Sequence, residues 1–540
     1  MNNMNNNFQT NLFAGKEADE CLTRGICSVN STLTSLQEVI LLHLKELSFY
    51  VLKLKEFGIT NESLKDTIIE VLFVLVTNVE YNQEQFHKLI LNLHQNIEQS
   101  KMLYEKACLE KNVDIESVKI YFKYSKNFDL TEAIRKGEKY FLKKSSSFTG
   151  TQKDLFDIML FLVKSVSIKM VEAQNLDEYF DEAYYETLSM LNEMNLNKFS
   201  QENAIKEIEK YTQTYYDIIS KVFSAQNKLY GEVESVDVSF STTPGKAILV
   251  SGSDYKKLEN ILKAVENTEI GVYTHGLEML MAHSFPKLRS HPNLKGHYGA
   301  GMESSMIDFA SFPGPILMTK GTLQKIEYLY RGRLFTLDPI APMGVIKISE
   351  NNFEPLIKSA HDAQGFNRIT KKSSMKVGFL KERIRDKVNE IMDKVLIGEI
   401  KHLYIVGLLN LPNTNKEYFE KFFELMPKDC YAISMCCPAH CENVFHLDSF
   451  SDYSLIYKIM EMIKDKKPLS ELKISVFLTK CDKHTISNLL YLKLSGIKNV
   501  YMSKCPPSLV NPALMETMQQ LFEIKEISDP KKDIEDTLRD

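Results

Sequence analysis

The chain has 540 residues, 44% hydrophobic and 25% charged, and its 66 Lys and Arg against 71 Asp and Glu leave a formal net charge of -5. At about 150 residues per domain, this length predicts two to four domains whose cores stand without disulfide or metal staples. The balance excludes a disordered or fibrous chain and offers no basic surface for nucleic acid or an anionic membrane.

The opening run MNNMNNNFQTNLF has neither a basic n-region nor an apolar h-region. It reads as a frayed tail rather than a secretory signal, and the chain reads as cytoplasmic. Next, Leu36, Val39, Ile40, Leu44, Leu47, Val51 and Leu54 recur at three- and four-residue steps. That spacing predicts a helix, with Thr34 and Gln37 as its capping box and Gly58 as its stop. A second helix runs through Ile68, Leu72 and Leu75. Its apolar run is interrupted by Glu70 and falls well short of the ~20 residues that span a bilayer, so it predicts a buried helix and no membrane partner. A third carries Ile205, Ile208, Tyr215, Ile218 and Val222. With little Gly or Pro, residues 1–238 predict a bundle of antiparallel helices.

After Ser239 short β-branched runs appear: KAILVSG (246–252), IGVYTHG (270–276), GPILMT (314–319) and GVIKIS (344–349), with a helix over 255–265. The rhythm restarts at HLYIVGLL (402–409), CYAISM (430–435), KISVFLT (473–479) and NVYMS (499–503). Near-continuous apolar strands alternating with helices predict parallel sheets covered on both faces. Two α/β domains follow, 239–372 and 373–540, with the polar stretch 367–376 as their junction. Ligands in such sheets collect beyond the C-terminal ends of strands, so those loops are where chemistry is expected. The nine Cys fall unevenly: Cys21, Cys27, Cys108, then six from Cys430 to Cys505. In a cytosolic chain that spacing suggests metal or redox chemistry rather than a disulfide framework.

The strings GVYTHGLEMLMAHSFPKL, HPNLKGHYGAG, FASFPGPILMTKGTL, MPKDCYAISMCC, LLYLKLSGIKNV and PPSLVNPALMETMQQLFEIKEI resemble, in this order, the hybrid-cluster protein family, also called hydroxylamine reductase or prismane. The related nickel carbon monoxide dehydrogenases share the fold, but the strings are closer to the hydroxylamine reductase side. The resemblance implies a helical N-terminal domain, two Rossmann-like α/β domains, and two iron–sulfur clusters: one near the N-terminus and a hybrid iron–sulfur–oxygen cluster between domains. It implies reduction of hydroxylamine to ammonia, or of nitric oxide, with a small nitrogenous substrate and an electron donor as partners.

The implied ligands carry over unevenly. The hybrid cluster takes one His, two carboxylates and four Cys, one of them a persulfide. The His belongs in a Ser-Gly-His-Asp turn, where this chain has Ser253; the first carboxylate falls on Glu278, one residue late; the first Cys position holds Thr322. Leu409 stands at the persulfide position, Cys437 matches, the following Cys is deleted between Asp448 and Ser451, and Asp482 replaces a Glu. The N-terminal cluster keeps Cys21 and Cys27 of four thiolates.

Alternatives stand beside these ligands. Cys21 and Cys27 are either residual ligands, completed across a homodimer interface, or relic thiols. Cys437, His440, Cys441 and His446 invite a zinc site, against buried Cys acting as small hydrophobes. His275 either orients the carboxylate loop, acts as an acid, or is a hydrogen-bonded structural residue; His283 reads as structural. Two functions follow: a hydroxylamine reductase with a diminished cluster, or a cluster-free paralogue that keeps the fold as a binding or interaction protein. A zinc or single-iron protein built on Glu278, Cys437 and Asp482 is a third.

Overall fold

The computed structural model describes residues 31–75, 82–118, 128–147, 150–194, 200–299, 305–319, 329–338, 341–342, 344–370, 374–407, 413–435, 441–447, 453–479, 484–503 and 512–539. Among them the first part is helical: α1 (Ser31–Glu56), α2 (Glu62–Val74), α3 (Gln83–Lys111), α4 (Leu130–Ser147), α5 (Thr151–Asn175), α6 (Asp181–Glu193) and α7 (Gln201–Tyr230). α1 is the axis, packed against α3, α4 and α6. Every residue from Glu38 to Tyr50 is buried, the polar Glu38, His43, Lys45 and Glu46 included, because other helices surround this stretch.

The stop at Gly58 is present. Its φ of 76° lies in the left-handed region, and the N–H groups of Gly58 and Ile59 donate to Lys55 O and Leu54 O, each at 2.9 Å. These are the two bonds of a Schellman end. The capping box is not. α1 is already helical at Ser31, so Thr34 lies within the helix; burial of Leu33, 1% exposed, carries the helix past the side chain that local propensity would have made its cap. Tyr104 of α3 packs on Phe49 and Tyr50, while Glu98 faces Glu46 and His94 faces His43. α1 and α3 therefore run in the same direction, so the expected antiparallel arrangement does not hold for this pair.

Two six-stranded sheets follow, both wholly parallel. The first contains β2 (Ala247–Ser251), β3 (Gly271–His275), β4 (Leu294–His297), β5 (Ile316–Met318), β6 (Leu334–Thr336) and β7 (Ile346–Lys347), in the order β4-β3-β2-β5-β6-β7. The second contains β9 (His402–Val406), β10 (Cys430–Ser434), β11 (Val444–His446), β12 (Ile474–Leu478), β13 (Asn499–Met502) and β14 (Ile524–Glu526), in the order β11-β10-β9-β12-β13-β14. Both orders are the doubly wound 3-2-1-4-5-6, with the reversal at β2/β5 and at β9/β12. β2, β3, β9 and β12 are buried along their whole length, which explains their near-continuous apolar sequences.

β1 (Val236–Ser239) and β8 (Ser374–Val377) pair antiparallel, and bridges Thr242–Thr370 and Gly245–Phe366 continue the ribbon. The chain thus enters and leaves the first sheet side by side. The helices that shape the sheet ends are α8 (Tyr255–Ala264), α9 (Leu277–Leu280), α10 (Ser305–Ser311), α11 (Tyr453–Lys464), α12 (Thr485–Leu494) and α13 (Pro512–Phe522). The helical region holds the first sheet through Gln85, whose Oε1 accepts from Ala341 N at 2.9 Å. It holds the second through Tyr215 Oη to Asn488 Oδ1 at 3.1 Å and Thr517 Oγ1 to Asp154 Oδ2 at 2.7 Å. Among the described residues no helix is long and apolar enough to cross a membrane.

Candidate functional site

In doubly wound sheets the ligand crevice lies beyond the C-terminal ends of the strands where the order reverses. At β2/β5 that position is the turn Ser251-Gly252-Ser253-Asp254. Gly252 has φ +137°, and a Cβ there would fall 1.9 Å from Thr319 Oγ1, so glycine is required. Thr319, directly after β5, donates through Oγ1 to Ser251 O at 3.1 Å, and the same oxygen accepts from Asp254 N at 3.4 Å. The second reversal repeats the device: Thr479, directly after β12, donates to Gly407 O at 2.5 Å. A threonine staples each switch point.

Asp254 closes the first turn from below. Oδ1 caps α8 by accepting from Lys257 N at 3.1 Å, and Oδ2 accepts from Asn175 Nδ2 of α5 at 2.6 Å. Lys257, with 3% of its side chain exposed, lies 3.2 Å from Asp338 and 3.8 Å from Asp254. Burial pulls the ammonium pKa down, but Asp338 and Asp254 outweigh it and hold the group above the ordinary lysine value.

The adjacent loop, after β3, carries Glu278. The two loops are tied together, because Tyr255 Oη, two residues beyond Ser253, donates to Glu278 O at 3.0 Å. Of the anticipated site residues, the structure brings the Ser253 turn and Glu278 to the same sheet end. Cys21, Cys27, Cys437 and Asp482 lie outside the described residues, as do Thr322, Leu409 and His440. Of the zinc candidates, His446 ends β11, and Cys441 Sγ contacts Phe423 O at 3.9 Å. Among the described residues no three His, Cys, Asp or Glu side chains are grouped to hold a metal ion.

Three histidines lie beneath the Glu278 loop. The Thr274 hydroxyl sits 2.8 Å from both His283 Nε2 and His297 Nδ1. The same hydroxyl donates to Gly296 O at 3.4 Å, so Thr274 ties both rings to β4. Burial, with the Arg289 charge, lowers His283 to about 4. Burial also holds His297 well below the ordinary value, reinforced by His283 and His275. Both are neutral at pH 7. His275 is fully buried; its Nδ1 lies 2.9 Å from Ser251 Oγ and its Nε2 3.4 Å from Asp308 Oδ2. With both nitrogens engaged and no exposed edge, it is arranged as a structural histidine joining β2, β3 and α10.

Asp308 is positioned in turn by Arg333, whose guanidinium gathers the carbonyls at the end of α10: Phe309 at 2.8 Å, Ala310 at 3.3 Å, Gly314 at 2.9 Å, and Phe312. Arg333→Met is expected to cost about 2–3 kcal/mol, the value of hydrogen bonds from a charged donor to carbonyls of residues that, for Phe309, Phe312 and Gly314, are buried. Denaturant midpoints at neutral pH check this, and a loss under about 0.5 kcal/mol would reduce the clamp to a surface contact.

Sequence reasoning missed Lys257, Asp338 and Arg333, because a charged residue on a helix or between strands reads as solvated surface. The threonine staples did leave a signal. GPILMT and KISVFLT each end an apolar strand on Thr.

The Prismane/CO dehydrogenase family matches residues 17–455. Among curated relatives, the chain is 27% identical over 542 residues to a hydroxylamine reductase of Thermodesulfovibrio yellowstonii, covering 97% of this chain and 98% of the relative. It is 26% identical over 537 residues to one of Rippkaea orientalis, covering 95% and 96%, and 24% identical over 530 residues to one of Acidiphilium cryptum, covering 95% of each. With two 3-2-1-4-5-6 sheets behind a helical region and a match across most of its length, the chain belongs to the Prismane/CO dehydrogenase family.

Proposed function

We propose that this chain is a family member that keeps the hydroxylamine reductase scaffold as a cluster-free binding or interaction protein and does not turn over hydroxylamine. The observation that carries this reading is the turn after β2. It is rigidly built, yet it presents the hydroxyl of Ser253, 9% exposed, where the resemblance implies an imidazole. A serine hydroxyl keeps its proton at neutral pH and is a poor donor to iron. Leu409 has no lone pair at all. Glu278, Cys437 and Asp482 are what remain of the implied set, a single thiolate with two carboxylates, and such a set does not hold a multi-iron cluster. The residues present do not fit the hybrid cluster.

The test is anaerobic purification with iron, sulfide and zinc measured per chain, together with hydroxylamine-dependent oxidation of a reduced viologen dye. The expected protein is folded and colourless and leaves the dye reduced. Several irons and sulfides per chain with a broad band at about 400 nm, accompanied by turnover, would overturn the reading. One zinc or one iron per chain would overturn it in favour of a single-metal site at Glu278, Cys437 and Asp482.

A further inference from the structure

Three tyrosines meet where the helical region touches the second sheet. Tyr216 of α7 stacks on Tyr491 of α12 with centroids 4.3 Å apart and planes 4° from parallel. Tyr457 of α11 meets both edge-on, at 5.4 Å and 5.1 Å. The Tyr216 hydroxyl donates to Glu461 Oε1, and Lys458 holds Oε2 of that carboxylate at 2.7 Å. Tyr216 and Tyr491 are half-buried, within reach of small reagents, while Tyr457 is buried.

A phenol is oxidised by one electron far more readily when a base takes its proton, and Glu461 is already in place to take it. A parallel, electron-rich neighbour shares the developing positive charge. The chain has 25 Tyr and no Trp, so no indole competes for the hole. Among the described residues, two other tyrosines come near this arrangement but lack part of it. Tyr418 donates to Asp533 at 2.6 Å, but it is buried, and its ring neighbours are Phe419 and Phe422. Tyr185 neighbours Tyr184, but Lys55 sits 3.4 Å over its ring, and a cation there opposes loss of an electron.

We propose that Tyr216 is the preferred site of one-electron oxidation in this chain and that it couples covalently to Tyr491. Tyr216 gives an electron to a one-electron oxidant and its proton to Glu461. Tyr491 gives an electron to a second oxidant equivalent and its proton to water. The two radicals join ortho carbon to ortho carbon, and the displaced ring hydrogens move to the oxygens to restore both phenols. The sum is two tyrosines to one dityrosine, two electrons and two protons. The new bond would weld α7 to α12, and with them the helical region to the second sheet.

The full-length protein is exposed to photogenerated ruthenium(III) tris-bipyridyl near neutral pH and read by dityrosine fluorescence and peptide mapping. The expected product is a Tyr216–Tyr491 cross-link with a raised Tm. Tyr216→Phe is expected to abolish it. Glu461→Gln, with folding checked by circular dichroism, is expected to lower its yield about tenfold by removing the base. Modification of exposed Tyr179 (54% exposed) ahead of Tyr216, or an unchanged yield in Glu461→Gln, would overturn the proposal.

Discussion

Lys257→Met is expected to destabilise the protein by about 3–5 kcal/mol at pH 7, because removing one partner of a buried ion pair strands the others. Methionine keeps most of the volume, so the loss reports charge rather than a cavity. Asp254 and Asp338, 2% and 13% exposed, would be left facing each other with no cation between them. Lys257 is held above its ordinary value of 10.5. Its contribution is therefore complete below that pH and is lost only as pH rises through the higher folded value, so a measurement at pH 7 sees all of it. The double variant Lys257→Met, Asp338→Asn should recover part of the loss, since one stranded charge is then gone. Hydrogen exchange should rise in the Ser251–Leu258 segment, because the same carboxylate caps α8 and holds Asn175. A loss under about 1 kcal/mol would give the pair the worth of an exposed one.

That ion pair also marks the limit of what the sequence discloses. The central strands were legible because burial on both faces demands unbroken apolar runs, as in AILVS, GVYTH, HLYIV and ISVFL. β6, β11 and β14 were not, being three residues each with mixed character: LFT, VFH and IKE. Such segments are strands only because a neighbour supplies the ladder. Gly58 announced its turn through a backbone need that no other residue meets as cheaply, whereas the Thr34 capping box lost to the packing of Leu33. At the candidate site, Ser253 and Glu278 were found only through the resemblance, which places a ligand in the turn after KAILVSG and another after YTHG. The spacing did not show that Tyr255 ties their loops together, nor that Asp254 answers to Lys257, Asp338 and Asn175 at once. Contacts between residues 79 and 81 positions apart leave no periodic trace.

The threonine staples hold the two switch-point turns through the main chain. Thr319 and Thr479 bond to main-chain carbonyls, and Asp254 bonds to a main-chain N–H. None of these bonds depends on what side chain follows Gly252 or Gly407. The residue at position 253 can therefore change from a ligand to a hydroxyl while the turn that presents it stays in place. A turn built from main-chain contacts keeps its shape whichever side chain it presents.

The second large effect is expected at Glu46, in the axis of the helical bundle. Burial pushes its carboxyl up from 4.5 to about 7, with Glu98 adding to the shift and Lys101 opposing it. A carboxyl raised in the folded state favours folding while protonated, so its contribution is present below pH 4.5 and is lost as pH rises to about 7. Glu46→Gln keeps the shape and the neutral amide at every pH. Relative to that variant, the native protein should lose about 3 kcal/mol between those limits, at 1.36 kcal/mol per pKa unit. Above about pH 7.5 the variant should be the more stable of the two. Denaturation midpoints of both proteins across the range isolate the effect, since carboxylates not coupled to Glu46 contribute equally to each. A flat difference would mean that water reaches Glu46, which its 7% exposure among Leu44, Leu47 and Tyr50 argues against; a difference sloping the other way would mean that Lys101, not burial, sets its charge.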